Sequence, residues 1–218
     1  LAEIKYTLVS DGPSNRALLP LLTWLLSKHL RDRAIQFEWA DLRKLHKPPA
    51  RLADKIKAAL DLYPCDLLFV HRDAENENPQ NRYREIGQAL EEVENDIQIP
   101  PSICVVPVRM MEAWLLFDKN AVRKAAGNPQ GSLSLALPNL NNLEQLPDPK
   151  AILHNLLRAA SGLSGRRLKD FTNRYLGLAV HRVPDYIEDF TPLRGLPAFN
   201  RLENDLQDII TSQGWESP

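Results

Sequence analysis

The chain has 218 residues, 44% hydrophobic and 25% charged, with a formal net charge of −1, which suits one large domain, or a domain plus a small extension, with its own hydrophobic core. That balance excludes a surface basic throughout, so any nucleic-acid contact must be a local patch. No apolar run approaches the length of a membrane span, and Cys65 and Cys104, each beside or within an apolar run, read as reduced core residues of a cytoplasmic protein.

Leu1 to Val9 reads as a strand rather than a signal peptide, because Glu3 and Lys5 interrupt its apolar pattern. It ends at the turn Ser10-Asp11-Gly12-Pro13. Leu18, Leu19, Leu22, Leu25, Leu26 and Leu30 then fall at helical spacing and predict a helix over 14–30. A second strand is expected over 34–40. Pro48 and Pro49 break the chain before a helix over 50–62 with Leu52, Ile56, Ala59 and Leu60 inward. The almost wholly apolar run from Asp66 to His71 suits a strand covered on both faces. A helix over 82–97 and an apolar strand over 102–108 follow.

This alternation predicts an α/β fold, a mainly parallel sheet flanked by helices. Met111 to Phe117 opens a further helix. The composition shifts to Asn, Pro, Gly, Ser and Leu over 127–150, a long loop or linker. Helices are expected over 149–160, 166–177 and 198–211. The organisation is therefore an α/β core over 1–126 and a loop with a helical extension over 127–218, packed as one unit, without an internal repeat.

In an open parallel sheet, ligands bind beyond the carboxyl ends of the strands. Acids stand there after three strands: Asp11 after the first, Asp73 and Glu75 after the third, and Glu112 after the fourth. Crowded carboxylates repel unless a cation neutralises them, and oxygen ligands suit Mg²⁺ or Mn²⁺ rather than zinc. Each acid also has an ordinary alternative as a turn residue or helix cap. Glu112 lies inside an otherwise apolar run, where a surface acid is not expected, although the helix dipole would also favour an acid there. His71 is open between an acid/base role and that of a hydrogen-bonded histidine at a strand end.

The strings Asp11-Gly12-Pro13, His71-Arg72-Asp73-Ala74-Glu75, Glu112-Ala113-Trp114-Leu115-Leu116, Asp148-Pro149-Lys150 and Leu196-Pro197-Ala198-Phe199 resemble a family of bacterial TOPRIM-like proteins. These are often found beside ATPases or in defence-type gene neighbourhoods, and are distantly similar to the TOPRIM domains of topoisomerases, primases and OLD-type nucleases. The resemblance implies Mg²⁺-dependent phosphodiester chemistry on DNA or RNA, with an ATPase or other defence-system protein as partner. It places Asp11 at the TOPRIM glutamate, usually the general acid/base, Asp73 at the second Asp of the Asp-x-Asp pair, and Glu112 at a further acid. Two departures stand out. Asp11 is one methylene shorter than Glu, and His71 replaces a hard oxygen ligand, which Glu75 or Asp118 would have to supply. A non-catalytic module that binds a partner or a nucleotide is the alternative.

Arg16, Arg72 and Arg109 are candidates for gripping a phosphate, or for pairing with the nearby acids. Arg166, Arg167 and Lys169, after the turn Ser161 to Gly165, form a basic segment suited to nucleic acid. A second basic run, Arg43 to Lys57, is interleaved with acids and also reads as a solvated face. The four tryptophans read as core or subunit-contact residues, with Trp114 able to wall the acidic site. The remaining histidines lack zinc spacing, and no P-loop, Gly-x-Gly-x-x-Gly or Gly-x-Ser-x-Gly is present.

Overall fold

Strand β1, Ala2–Val9, sends Ile4, Tyr6 and Leu8 to one face and Thr7 and Val9 to the other, and all five are buried. A strand covered on both faces belongs inside a parallel sheet, and the computed structural model, which describes residues 2–216, places β1 there. Leu1 of the expected first strand lies outside the described residues. The other strands are β2 (Arg33–Trp39), β3 (Leu67–His71) and β4 (Ser102–Val105). Their order is β2-β1-β3-β4 and all three pairings are parallel. The chain adds β2 on one side of β1, then crosses back to add β3 and β4 on the other. The reversal opens a crevice between the carboxyl ends of β1 and β3.

Helices α2 (Leu52–Leu62) and α3 (Pro79–Glu94) cover the face that carries Val9, Leu68 and Val70. Helix α1 (Leu19–His29) covers the opposite face. There it is joined by α4 (Lys119–Ala125), α5 (Pro149–Ser161), α7 (Leu176–Arg182) and α8 (Pro197–Ser212), whose apolar residues form one cluster with Tyr6, Leu8 and Phe69. The helical extension therefore shares its core with the sheet.

Several boundaries differ from the sequence reading, each for a local reason. The helix expected over 14–30 begins as a 3₁₀ turn, Pro13–Leu18, and becomes α-helical only at Leu19. The ring of Pro20 would clash with the carbonyl of Arg16 in a continuous α-helix. Helix α3 starts three residues early because Asn78 caps it, accepting from Gln80 N–H, and Pro79 occupies the first position. Strand β4 ends before Pro107, which has no N–H for the ladder. The helix expected from Met111 is a 3₁₀ turn, Met111–Leu115. The helix expected over 166–177 is α6 (Gly165–Asp170), a π-helical turn (Phe171–Tyr175) and α7. Among the described residues, no helix is long and apolar enough to cross a membrane. Cys65 and Cys104 are free thiols, partly buried.

Trp114 stands in the 3₁₀ turn after β4. It is wholly buried and meets Phe199 of α8 edge-to-face, with ring centroids 5.7 Å apart. This contact joins the turn after β4 to the last helix. Trp114→Ala is expected to cost about 3–5 kcal/mol in urea unfolding. Far-UV circular dichroism and fluorescence should still report one coincident transition, because sheet and extension share one core. Two separate transitions in the wild type would contradict that shared core.

Candidate functional site

The loops leaving β1, β3 and β4 meet over the crevice. Backbone bonds carry the β3–β4 pairing past the strand ends, from Arg72 N–H to Val105 C=O (3.2 Å), Ala74 N–H to Pro107 C=O (3.1 Å) and Glu75 N–H to Arg109 C=O (2.7 Å). Glu75 and Arg109 both have positive φ, 54° and 66°. Such left-handed conformations in non-glycine residues carry strain, which persists where surrounding contacts over-determine the loop.

His71 is the hub. Its ring is buried at the end of β3, with Nδ1 2.9 Å from Val105 O and Nε2 2.7 Å from Asn15 Nδ2. A carbonyl only accepts, so Nδ1 carries the proton and Nε2 accepts from Asn15. Asn15 is oriented in turn by Gly12 N–H, which donates to its Oδ1 at 3.0 Å. Burial pushes the imidazole down to about 4, against the carbonyl of Val105 and the charges of Asp11 and Glu112. His71 is thus neutral with both nitrogens engaged, the arrangement of a hydrogen-bonded strand-end histidine. It ties the turn after β1 to the edge of β3 and β4.

The acids divide into two groups. Asp11 accepts from Lys55 Nζ at 2.7 Å and pairs with Arg72, which also reaches Glu85 Oε1 at 2.9 Å. Burial would raise Asp11, but the Lys55 hydrogen bond and the charges of Arg72 and Lys55 outweigh it and hold the carboxyl below its ordinary value. Asp73 behaves oppositely. Its Oδ1 accepts from Met111 N–H at 2.8 Å and lies 3.5 Å from His71 Nε2, a lone pair that offers no proton. Burial pushes Asp73 up to about 6 despite the Met111 N–H, and the charges of Glu75 and Asp11 add to the rise. Glu112, only 4% exposed in the turn after β4, is likewise raised by burial and by Asp73, against its own backbone N–H and Lys150.

Lys150 was not singled out as a site residue in the sequence. It lies in the first turn of α5, which Asp148 caps by accepting from Ala151 N–H at 2.8 Å. A cation there opposes the helix dipole, and that misplaced charge was the available signal. Its compensation is the field of Asp73 and Glu112, both of which it draws down. Asn15, whose amide orients His71, left no comparable signal.

Of the remaining candidates, Glu75 adds its charge to Asp73. Glu75 is largely exposed and lies 3.6 Å from Arg82. Asp118 caps α4. Arg109 bonds Asn76. Arg166, Arg167 and Lys169 ride on α6, none of whose residues is buried. In the turn before α6, the Ser161 hydroxyl donates to Arg158 C=O at 2.7 Å and accepts from Leu163 N–H at 3.2 Å, while Gly162 closes α5 at φ 66°. That turn is used for capping.

Among the described residues, no group of three or more His, Cys, Asp and Glu side chains is disposed to hold a metal ion. Mg²⁺ commonly uses one or two carboxylates, with water and substrate phosphate completing its shell. Asp73 and Glu112 are the oxygen donors available for that smaller set: both are raised by burial, and the charge of Asp73 raises Glu112 further. Asp11, held by two cations, is outside it. No family model, no curated protein and no solved structure matches the chain.

The two perturbed groups act oppositely on stability. Asp73, raised in the fold, costs stability as pH climbs from about 4 to about 6, because the unfolded carboxyl ionises first. His71, lowered in the fold, restores stability as pH climbs from about 4 to about 6.5, because the unfolded imidazole then releases its proton. Asp73→Asn removes only the first effect. It is expected to stabilise the protein by about 1–2 kcal/mol at pH 7–8, after allowance for partial solvent access, and to steepen the rise between pH 4 and 6.5. Urea unfolding across pH 4–8 measures both. Parallel wild-type and variant curves would show that Asp73 carries no burial penalty.

Proposed function

We propose that the chain is a TOPRIM-like enzyme of Mg²⁺- or Mn²⁺-dependent phosphodiester chemistry on nucleic acid. The observation that carries the proposal is that partly buried Asp73 and buried Glu112, both raised by burial and both drawn down by the charge of Lys150, stand beyond the carboxyl ends of a parallel sheet. In this reading Asp73 and Glu112 hold the cation, which when bound would polarise a phosphate oxygen and stabilise charge on the attacking or leaving oxygen. Lys150 holds a phosphate oxygen beside them. Arg72 and Lys55 keep Asp11 ionised at neutral pH, so Asp11 can accept a proton but has none to donate. Its inherited acid/base role narrows to that of a base. His71, through Asn15 and Val105, positions the loops rather than moving a proton.

A second reading, a non-catalytic module that binds a partner or a nucleotide, is favoured by one observation. Asp11 and His71 are already satisfied by protein groups. Its partner in the family resemblance is an ATPase or another defence-system protein.

Labelled DNA and RNA should be cleaved when Mg²⁺ or Mn²⁺ is added, by the protein alone or with the product of a neighbouring ATPase gene. Asp73→Asn and Glu112→Gln are expected to lower the rate about 100-fold or more and to weaken Mn²⁺ binding in calorimetry. Asp11→Asn should lower the rate while leaving Mn²⁺ affinity unchanged. Absence of metal-dependent cleavage under all these conditions, with metal binding unaffected by Glu112→Gln, would leave only the binding-module reading.

A further inference from the structure

The edge strand β2 leaves Phe37 47% exposed, although its ring sits 6.0 Å from that of Tyr6 in the sheet. Phe37 forms part of the wall of a groove of about 940 Å³ between β2, the start of α1 and helix α7. Arg16, Arg43, Lys44 and Arg182 line it against two acids, Asp41 and Asp185. Four cations less two carboxylates leave a local charge of +2 with His181 neutral, on a chain whose formal net charge is −1. Arg43 is committed to Asp41 through bonds of 2.7 and 3.0 Å, and Lys44 approaches the same carboxylate at 3.9 Å. Arg16, on the 3₁₀ turn before α1, and Arg182, on α7, are not drawn into that cluster. Among the described residues, the buried Nδ1 of His181 has no hydrogen-bond partner.

The groove also adjoins the Asp11 side of the candidate site. Trp39, Asp41 and Arg43 line both the groove and a smaller cleft that contains Asp11 and Lys55. Arg16 lies on the same 3₁₀ turn as Asn15, which holds His71. A partly exposed aromatic ring on a strand, flanked by cations and continuous with an acidic site, suits an unpaired polynucleotide. Its bases present faces for stacking, and its phosphates follow the basic walls. A duplex keeps its bases stacked on one another and offers Phe37 none.

We propose that this groove binds single-stranded nucleic acid, stacking a base on Phe37 with Arg16 and Arg182 on the phosphates, and leads the strand toward Asp11 and Asp73. As a substrate path it rests on the phosphodiester reading above, whereas as a binding site it stands without it.

Fluorescence polarisation in EDTA separates the two. With a fluorescein-labelled oligothymidylate or oligouridylate of about 16 nucleotides, binding at low salt should be at least tenfold tighter than to a duplex of equal length, and should weaken as salt rises. Comparing the two oligomers distinguishes DNA from RNA. Phe37→Ala should weaken binding about 5-fold to 100-fold, and Phe37→Trp should retain it. Arg182→Glu, at an exposed position outside the core, should weaken binding and flatten the salt dependence. Binding with these properties but without metal-dependent cleavage would uphold the groove and overturn the enzymatic reading. Equal affinity for duplex, or affinity unchanged by both Phe37→Ala and Arg182→Glu, would overturn the groove.

Discussion

A parallel sheet buried on both faces leaves charge no place except beyond its strand ends. Here β3 and the carboxyl half of β1, from Tyr6 to Val9, are buried on both faces, one covered by α2 and α3, the other by α1 and the C-terminal helices. Ionisable side chains within those strands would face a desolvation penalty that no neighbour could offset. They gather instead where the order β2-β1-β3-β4 reverses and the loops after β1 and β3 part. His71, the last residue of β3, marks the border: it is as buried as the strand yet polar, and its two hydrogen bonds join the loops on either side.

Within that space the protein treats its carboxylates unequally. Asp11 is neutralised by Lys55 and Arg72, so its charge is supported from within the fold. Asp73 and Glu112 share only the partial support of Lys150 and of backbone N–H groups, and both are pushed toward the protonated form. Pairs of acids whose environments separate their pKa values are a recurring feature of sites that bind cations or move protons. The imbalance makes this corner a functional candidate on physical grounds, independent of any family likeness. The same imbalance explains why the pair costs stability near neutrality.

The helical extension does more than cover the sheet. Helix α5 brings Lys150 to the acids, α8 locks the turn carrying Glu112 through Trp114 and Phe199, and α7 forms one wall of the groove beside β2. Site and groove are therefore both joint products of core and extension.

The α/β class, the parallel sheet and the approximate position of every strand were legible in the sequence, because strand and helix periods and the apolar content of doubly covered strands are local properties. So was the gathering of acids beyond the strand ends, which follows from strand direction alone. The partnership of each acid was not legible. Lys55, Arg72 and Lys150 are separated from Asp11 and Glu112 by tens of residues, and only the crossover connections decide which cation meets which carboxylate. The protonation pattern of His71 also waited on tertiary structure, since it depends on Asn15 from the turn after β1 and on the Val105 carbonyl from β4. Residue types and periodicity thus determined the scaffold and the edge where chemistry could lie. Burial and pairing across that edge, which arise only when distant segments meet, decided which acids are satisfied and which remain in need of a partner.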